Sequence, residues 1–409
     1  MRANKERARV AVIGAGIVGA CIALALRQRG EDVTLIDRDA PGRGCSFGNS
    51  GAISPGSVAP LAMPGLLGSI PWMLLDTDAP LRLPLRYLPR AMPWLLRFIA
   101  SARPSRVAES AVRLAALHAN AVERHLALAH DIGVPELVLQ RGHLHVYPDE
   151  QALAKDAAGW RMRREHGYAF ERLDRAGIVA LEPNIGNRYQ VGIYLADHAT
   201  IVNPFRYVQA IVHAFAARGG QVRRGEVRAI ARATDGDWEI ATEGAPGRFD
   251  SIVVATGAWS RALLDPLDVR VPLESQRGYH VQFRGTAPVS RTVVLADRKV
   301  FATPMDAGLR VGGTVEIAGL AAPPDPRRAA SLRRIAIETF AGLDVTDATT
   351  WMGHRPCMPD SVPLVGAVAN RPGLFLAVGH GHLGLTDAPH TAERIAAAMG
   401  WHARSPAIA

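Results

Sequence analysis

Three glycines, Gly14, Gly16 and Gly19, stand between an apolar β-branched run at 10–13 and an alanine- and leucine-rich stretch at 20–29. Their G-x-G-x-x-G spacing, with Ile17 and Val18 inside the motif, suits a phosphate-binding turn. The first glycine permits a tight turn, the second lets backbone approach a pyrophosphate, and the third lets helix and strand pack closely. Phosphates then meet free N–H groups at the positive end of the helix. A second apolar run, 33–36, ends at Asp37, 18 residues beyond Gly19. A carboxylate there accepts hydrogen bonds from a ribose diol, and it argues against a 2′-phosphate although Arg38 follows. Together these features imply a dinucleotide site. This unit alone does not choose between NAD and FAD.

Two later segments choose. Residues 253–260 read as a buried strand running into a small-residue turn that holds Thr256, Gly257 and Trp259. Residues 379–386 form a second strand-to-helix turn, with Gly379, His380, Gly381, Leu383, Gly384 and Thr386. A helix N-terminus near the end of the chain suits the pyrimidine edge of a flavin. Reduced flavin carries negative charge there, and a helix dipole with free N–H donors stabilises it. An NAD enzyme has no comparable need, so FAD is expected.

These residues need a scaffold. The β–turn–α–β unit at 10–37 is the first unit of a parallel doubly wound sheet. Residues 42–57 are rich in glycine and serine without periodicity, and a loop this long in a compact domain is usually functional. From 61 to 132 the pattern is helical, with breaks expected at Pro71, Pro80, Pro84, Pro89, Pro93 and Pro104 and the cleanest helix at 109–131. Strands are predicted at 137–147, 191–195, 271–283, 292–295, 309–314 and 374–378, and helices at 204–218, 327–340 and up to 398. Residues 222–233 and 238–242 predict a hairpin. The fold class is therefore α/β: a Rossmann-like dinucleotide domain from 1–60, 196–262 and 345–409, and a mixed-sheet α+β substrate domain from 61–195 and 263–344.

Composition removes other classes. The chain has 409 residues, 48% hydrophobic and 21% charged, as a globular protein does. Its net charge is +9, yet Lys5, Lys155 and Lys299 are the only lysines, and no basic run is interleaved with aromatics. Nucleic acid is not an expected partner. Cys21, Cys45 and Cys357 form no CxxC, which argues against a zinc site or a disulfide framework and for a cytoplasmic, reducing location. No apolar run is long enough to span a bilayer; the longest, 64–75, contains Pro71.

In order and spacing, the chain resembles the D-amino acid oxidase family of flavoenzymes, which includes glycine oxidase, sarcosine oxidase and bacterial D-amino acid dehydrogenase. The matching pieces are the N-terminal fingerprint, Ser46-Phe47-Gly48-Asn49-Ser50-Gly51, Ala255 to Trp259, Gly353-His354-Arg355-Pro356-Cys357-Met358-Pro359-Asp360, and Gly379 to Thr386. The stretch from Ser46 to Pro60 is most similar to the dehydrogenase branch, which also holds D-hydroxyproline dehydrogenases. The resemblance implies FAD stretched across the sheet, adenine near Asp37 and Val227, and Ser46, Asn49, Ser50 and Gly51 beside pyrophosphate and flavin. Arg355 falls on the family's carboxylate-binding arginine, and a guanidinium fork fits a carboxylate as lysine does not. Tyr279 and His280 fall on the strand that faces the flavin, where alternation lets only one of them reach the substrate.

The activity implied is hydride transfer from Cα of a small D-amino acid, or a D-proline derivative, to flavin N5. The imine then hydrolyses to a 2-oxo acid. Some sarcosine-oxidising relatives bind FAD through a cysteine; Gly353 stands near that place and Cys357 does not align, so non-covalent FAD is expected. Oxygen and a membrane quinone both remain open as electron acceptor. Residues 81–99 carry Arg82, Arg86, Arg90 and Arg97 among leucine, proline and tryptophan, which suits either a basic membrane-facing surface or a helical cap on the substrate domain. A flavin monooxygenase would need a second fingerprint, which the chain lacks. A flavin-carrying subunit of a larger dehydrogenase stays as the non-catalytic alternative.

Overall fold

The computed structural model describes residues 8–64, 81–242 and 247–402. Pro71, Pro80 and most of the 64–75 run lie outside these. Apolar alternation at 9–13 buries Val10 and Val12 on one face and Ala11 and Ile13 on the other. The strand Arg9–Ile13 is therefore covered on both sides, as a central parallel strand must be. It lies third in a six-stranded sheet ordered Gln221–Arg224, Asp32–Asp37, Arg9–Ile13, Ser251–Val254, Leu374–Val378 and Leu364–Ala367. The first five are parallel and the last is antiparallel.

One face packs against the helices Ile17–Gln28, Pro204–Ala217 and Gly384–His402. The other packs under a small antiparallel sheet whose Trp238, Ile240 and Phe249 seal it. A second, nine-stranded mixed sheet is built around Glu274–Arg284, flanked by Gly308–Ile317 and Ala348–Cys357. The helix Pro326–Thr339 covers one face of it through Leu332, Ile335 and Ala336. Two α/β layers of this kind bear out the expected fold class.

Four expectations change. Residues 109–131 are not one helix: Pro104–His118 and Ala121–Asp131 meet at Asn120, whose φ of +53° breaks the run. Asparagine tolerates that conformation, and the bend brings His118 and His125 against the C-terminal helix. The 222–233 arm of the expected hairpin divides at Gly225. Gln221–Arg224 joins the six-stranded sheet, and only Val227–Arg232 pairs with Trp238–Thr242. Pro93 does not end a helix but lies within Leu88–Ser101, on its exposed side, where water can take the carbonyl that proline leaves unbonded. Finally, Ala348–Cys357 pairs with Glu274–Arg284, so the boundary drawn at 345 falls ahead of a strand of the large sheet.

Candidate active site

A cleft of about 530 Å³ opens at the C-terminal ends of the parallel strands, where doubly wound sheets bind ligands. Its walls include Gly14, Gly16, Ile17, Val18, Asp37 and Arg38 from the first β–α–β unit. Gly14 has φ +104°, and a Cβ on it would lie 2.4 Å from the Ala255 carbonyl oxygen. Gly19 is outside the cleft: its Cβ would lie 1.8 Å from the Gly14 carbonyl oxygen, so it serves close packing of helix on turn. Gly16 meets only Ser46 Oγ, at 3.4 Å, and leaves its backbone open to the cleft.

The polar groups of this end are arranged on backbone. Asp37 Oδ2 accepts from the Ala15 N–H at 2.6 Å and Oδ1 from the Asp39 N–H at 2.9 Å. Ser46 Oγ accepts from the Ile17 N–H at 2.9 Å. Val227, Thr256, Gly257 and Trp259 line the same cleft, and the Arg38 guanidinium lies 4.2 Å over the Trp259 ring.

At the other end Asn49, Gly379, His380, Gly381 and Gly384 complete the wall. His380 presents its backbone: its ring is buried, with Nε2 2.9 Å from Thr391 Oγ1, and burial pushes it down to about 4. Four expected cofactor residues stand behind the wall. Ser50 packs its hydroxyl against Gly312, and the Gly51 carbonyl accepts from the Ile201 N–H at 2.7 Å, in a close approach that only glycine allows. Thr386 Oγ1 accepts from the Ser54 N–H at 3.1 Å, tying the loop to the C-terminal helix. Leu383 is buried beside a small separate cavity.

The alternation between Tyr279 and His280 is resolved. Tyr279 points away from the cleft, into the core under Pro326–Thr339. Its hydroxyl donates to Glu316 Oε2 at 2.5 Å and accepts from the Asp325 N–H at 3.0 Å. Its expected place at the substrate is therefore corrected. His280 faces the 46–51 loop: Nδ1 lies 3.0 Å from the Gly48 carbonyl oxygen, and its ring stacks on Trp351 at 5.3 Å. Burial, then Arg310, push it down to about 3, so it stays a neutral ring. Arg310 donates to the Asn49 carbonyl oxygen at 2.6 Å and holds the same loop.

Arg355 shares the His280 face, beside Pro356 of the cleft wall. Nη1 donates to the Thr314 carbonyl oxygen at 2.8 Å. No carboxylate among the described residues pairs with it, and burial lowers its pKa. Arg277, by contrast, is fully buried on the opposite face, 3.5 Å from Glu316 Oε2. An arginine with donors to spare at the end of a dinucleotide cleft can take an anionic ligand.

Three wall residues, Cys45, Glu226 and Arg228, carried no sequence signal, whereas Pro356 belongs to the motif that holds Arg355. The 225–228 segment was legible in principle. Gln221–Arg224 runs parallel to Asp32–Asp37, with Arg224 opposite Asp37, so its following turn must reach the ribose end.

A glycine cradle at one end, a second helix-opening turn at the other and a long cleft between them fit an extended flavin dinucleotide. They define a two-layer flavoenzyme. The chain belongs to the family described as FAD dependent oxidoreductase, whose model matches residues 9–398. It is 35% identical to the D-amino-acid oxidase of Bradyrhizobium diazoefficiens over 96% of this chain and 94% of that one. It is 31% identical to the D-amino acid dehydrogenase of Phenylobacterium zucineum, with the same coverage of 96% and 94%. Its fold matches glycine oxidase from Bacillus cereus with a TM-score of 0.74, covering 97% and 96% of the two chains at 17% identity.

Proposed function

We propose that this FAD-dependent oxidoreductase oxidises a small amino acid at Cα, most favourably a D-amino acid or a D-proline derivative. When bound, FAD accepts the hydride, and the released imine hydrolyses in water to a 2-oxo acid. The observation that carries the reading is Arg355, half-buried beside the cleft and without a carboxylate partner among the described residues. Its fork would hold the substrate carboxylate and leave Cα–H to be aimed by the rest of the pocket. Gly14, Gly16, Asp37, Arg38, Ser46, Asn49 and Val227 would hold the nucleotide, and the 379–384 turn the pyrimidine edge.

The cofactor is held without a covalent bond in this reading. Cys45 lines the cleft, but its thiol donates to the His354 carbonyl oxygen at 2.8 Å, and burial pushes it up to about 11. A protonated thiol is a poor nucleophile. The domain division is part of the proposal, with the last boundary moved beyond Cys357.

For the acceptor, a membrane quinone is the reading with an observation behind it. The helix Leu88–Ser101 packs Ala91 and Trp94 inward and leaves Arg90, Met92, Leu96 and Arg97 exposed beside Leu85 and Arg86. Such a basic apolar face suits an anionic bilayer surface at the cytoplasmic side. No helix among the described residues is long and apolar enough to cross a membrane.

The test is an anaerobic screen of D- and L-amino acids, glycine, sarcosine and hydroxyproline isomers, following flavin bleaching. One enantiomer of a neutral amino or imino acid should bleach it much faster than the other. Equal rates for both hands would contradict the proposal. Fast reoxidation by a quinone and slow reoxidation by air identify a dehydrogenase, and the reverse an oxidase.

A further inference from the structure

The large sheet holds a backbone outlier directly against Arg355. Thr314 has φ +58°, a left-handed conformation that strains a β-branched residue. It lies where the pairing of Gly308–Ile317 with Glu274–Arg284 slips. Arg277 stands opposite Glu316, and Tyr279 stands opposite Gly313. Two residues, Thr314 and Val315, thus face the single Gly278, which is a β-bulge.

The bulge turns carbonyls out of the ladder. Arg355 Nη1 donates to the Thr314 carbonyl oxygen at 2.8 Å, and Nη2 lies 3.5 Å from that of Gly313. The guanidinium rests on Gly278, where a Cβ would come within 2.3 Å of Cζ and Nη2. Thr314 Oγ1 is buried without a hydrogen-bond partner among the described residues, so the hydroxyl does not account for the conformation. Strain of this kind persists only where its surroundings impose it, and it gathers at ligand clamps.

We propose that the Thr314 bulge and the Gly278 floor are a positioning device for Arg355. Two of its five N–H donors are engaged by strand carbonyls, so that the remaining three point in a fixed direction at the carboxylate of a small amino acid. Thr314 is the positioning residue. Gly278 determines specificity, because it sets how far the guanidinium stands above the sheet and hence how much room the substrate has. The inference rests on the reading of Arg355 as carboxylate anchor.

The test uses the FAD-loaded enzyme, with melting temperature, KM and kcat for the best substrate, and the Kd of propionate by calorimetry. Thr314→Gly relieves the strain and frees the bulge. The melting temperature should hold or rise, while KM and the propionate Kd rise at least fivefold and kcat changes less. Thr314→Asn, which tolerates the left-handed conformation, should recover most of the affinity. Gly278→Ala has no backbone penalty and displaces only the end of a flexible side chain; it should raise the propionate Kd about tenfold with the melting temperature unchanged. This variant decides the matter if Thr314→Gly does not fold. A propionate Kd within twofold of wild type in Thr314→Gly, or in Gly278→Ala where that variant decides, overturns the proposal. So does a fall in melting temperature without loss of affinity. Arg355→Met separates the two layers: if it weakens propionate strongly while the bulge variants do not, the anchor stands and the device falls. If Arg355→Met is itself silent, the anchor reading has failed.

Discussion

The glycine turn at 14–19 and the Arg355 face of the large sheet are built in opposite ways. At the turn, the contacts are made on backbone: Gly14 under the Ala255 carbonyl, Gly19 against Gly14, and the Asp37 carboxylate on the Ala15 N–H. Few side chains take part, and apart from Ala255 and Ser46 the unit falls within one β–α–β stretch. At the Arg355 face, side chains from three strands meet through register. Arg355 stands opposite Gln276, His280 opposite Trp351, and the bulge at Thr314 adjusts the third strand. A backbone-built site shows itself in local spacing. A register-built one does not, because a slip of one residue reverses every side chain.

The sharpest way to break this contrast is Arg355→Met. Removing one partner of a buried, hydrogen-bonded charge pair typically costs about 2–5 kcal/mol. Substrate affinity should fall by tens- to thousands-fold, with FAD content nearly unchanged because the glycine turn is elsewhere. Lysine should recover little, since it lacks the planar fork. Steady-state kinetics together with flavin absorbance per protein measure both. A specificity constant within twofold of wild type would remove Arg355 as anchor. Arg277 and Arg310 are poor substitutes, being already engaged by Glu316 and by the 47–49 loop.

Asp37→Ala sharpens the other side. It removes the expected ribose contact and also the acceptor for the Ala15 N–H. Hydrogen bonds to a charged group are worth about 1.5–3 kcal/mol, so FAD affinity should fall roughly tenfold to a hundredfold. Titration of the apoprotein with FAD gives the number. At saturating FAD, KM for the amino acid should stay close to wild type. If it rises in step with the FAD Kd, the two ends are coupled and the contrast is too simple.

The same contrast explains what the sequence disclosed. The six-stranded sheet, the cleft and most of its wall were legible, since strand, glycine turn and helix follow one another locally. Of the expected cofactor residues, Gly19, Ser50, Gly51, Leu383 and Thr386 miss the wall, although the segments that hold them reach it. Tertiary contacts that no spacing reveals draw them away, such as the Thr386 hydroxyl on the Ser54 N–H and the Gly51 carbonyl on the Ile201 N–H. The break at Asn120 and the division at Gly225 were missed because the helical and the strand pattern resume directly beyond them. Packing against the C-terminal helix decides the first, and a parallel partner distant in sequence decides the second.

Tyr279→Phe is the smallest effect and the most direct check of facing. The phenol donates to Glu316 Oε2 at 2.5 Å and accepts from the Asp325 N–H at 3.0 Å, inside the core under Pro326–Thr339. Burial pushes it up to about 12, so it remains a donor at any working pH. Removing the hydroxyl takes a hydrogen bond from Glu316 and leaves its ion pair with Arg277 at 3.5 Å. An unsatisfied buried group costs about 1–3 kcal/mol, which should appear as a lower melting temperature. KM and kcat should stay within twofold, because nothing on that face reaches the cleft. The opposite pattern, an unchanged melting temperature with KM raised tenfold, would mean that Tyr279 touches the substrate. The two faces of Glu274–Arg284 would then have been assigned the wrong way round, and His280 would take the place in the core.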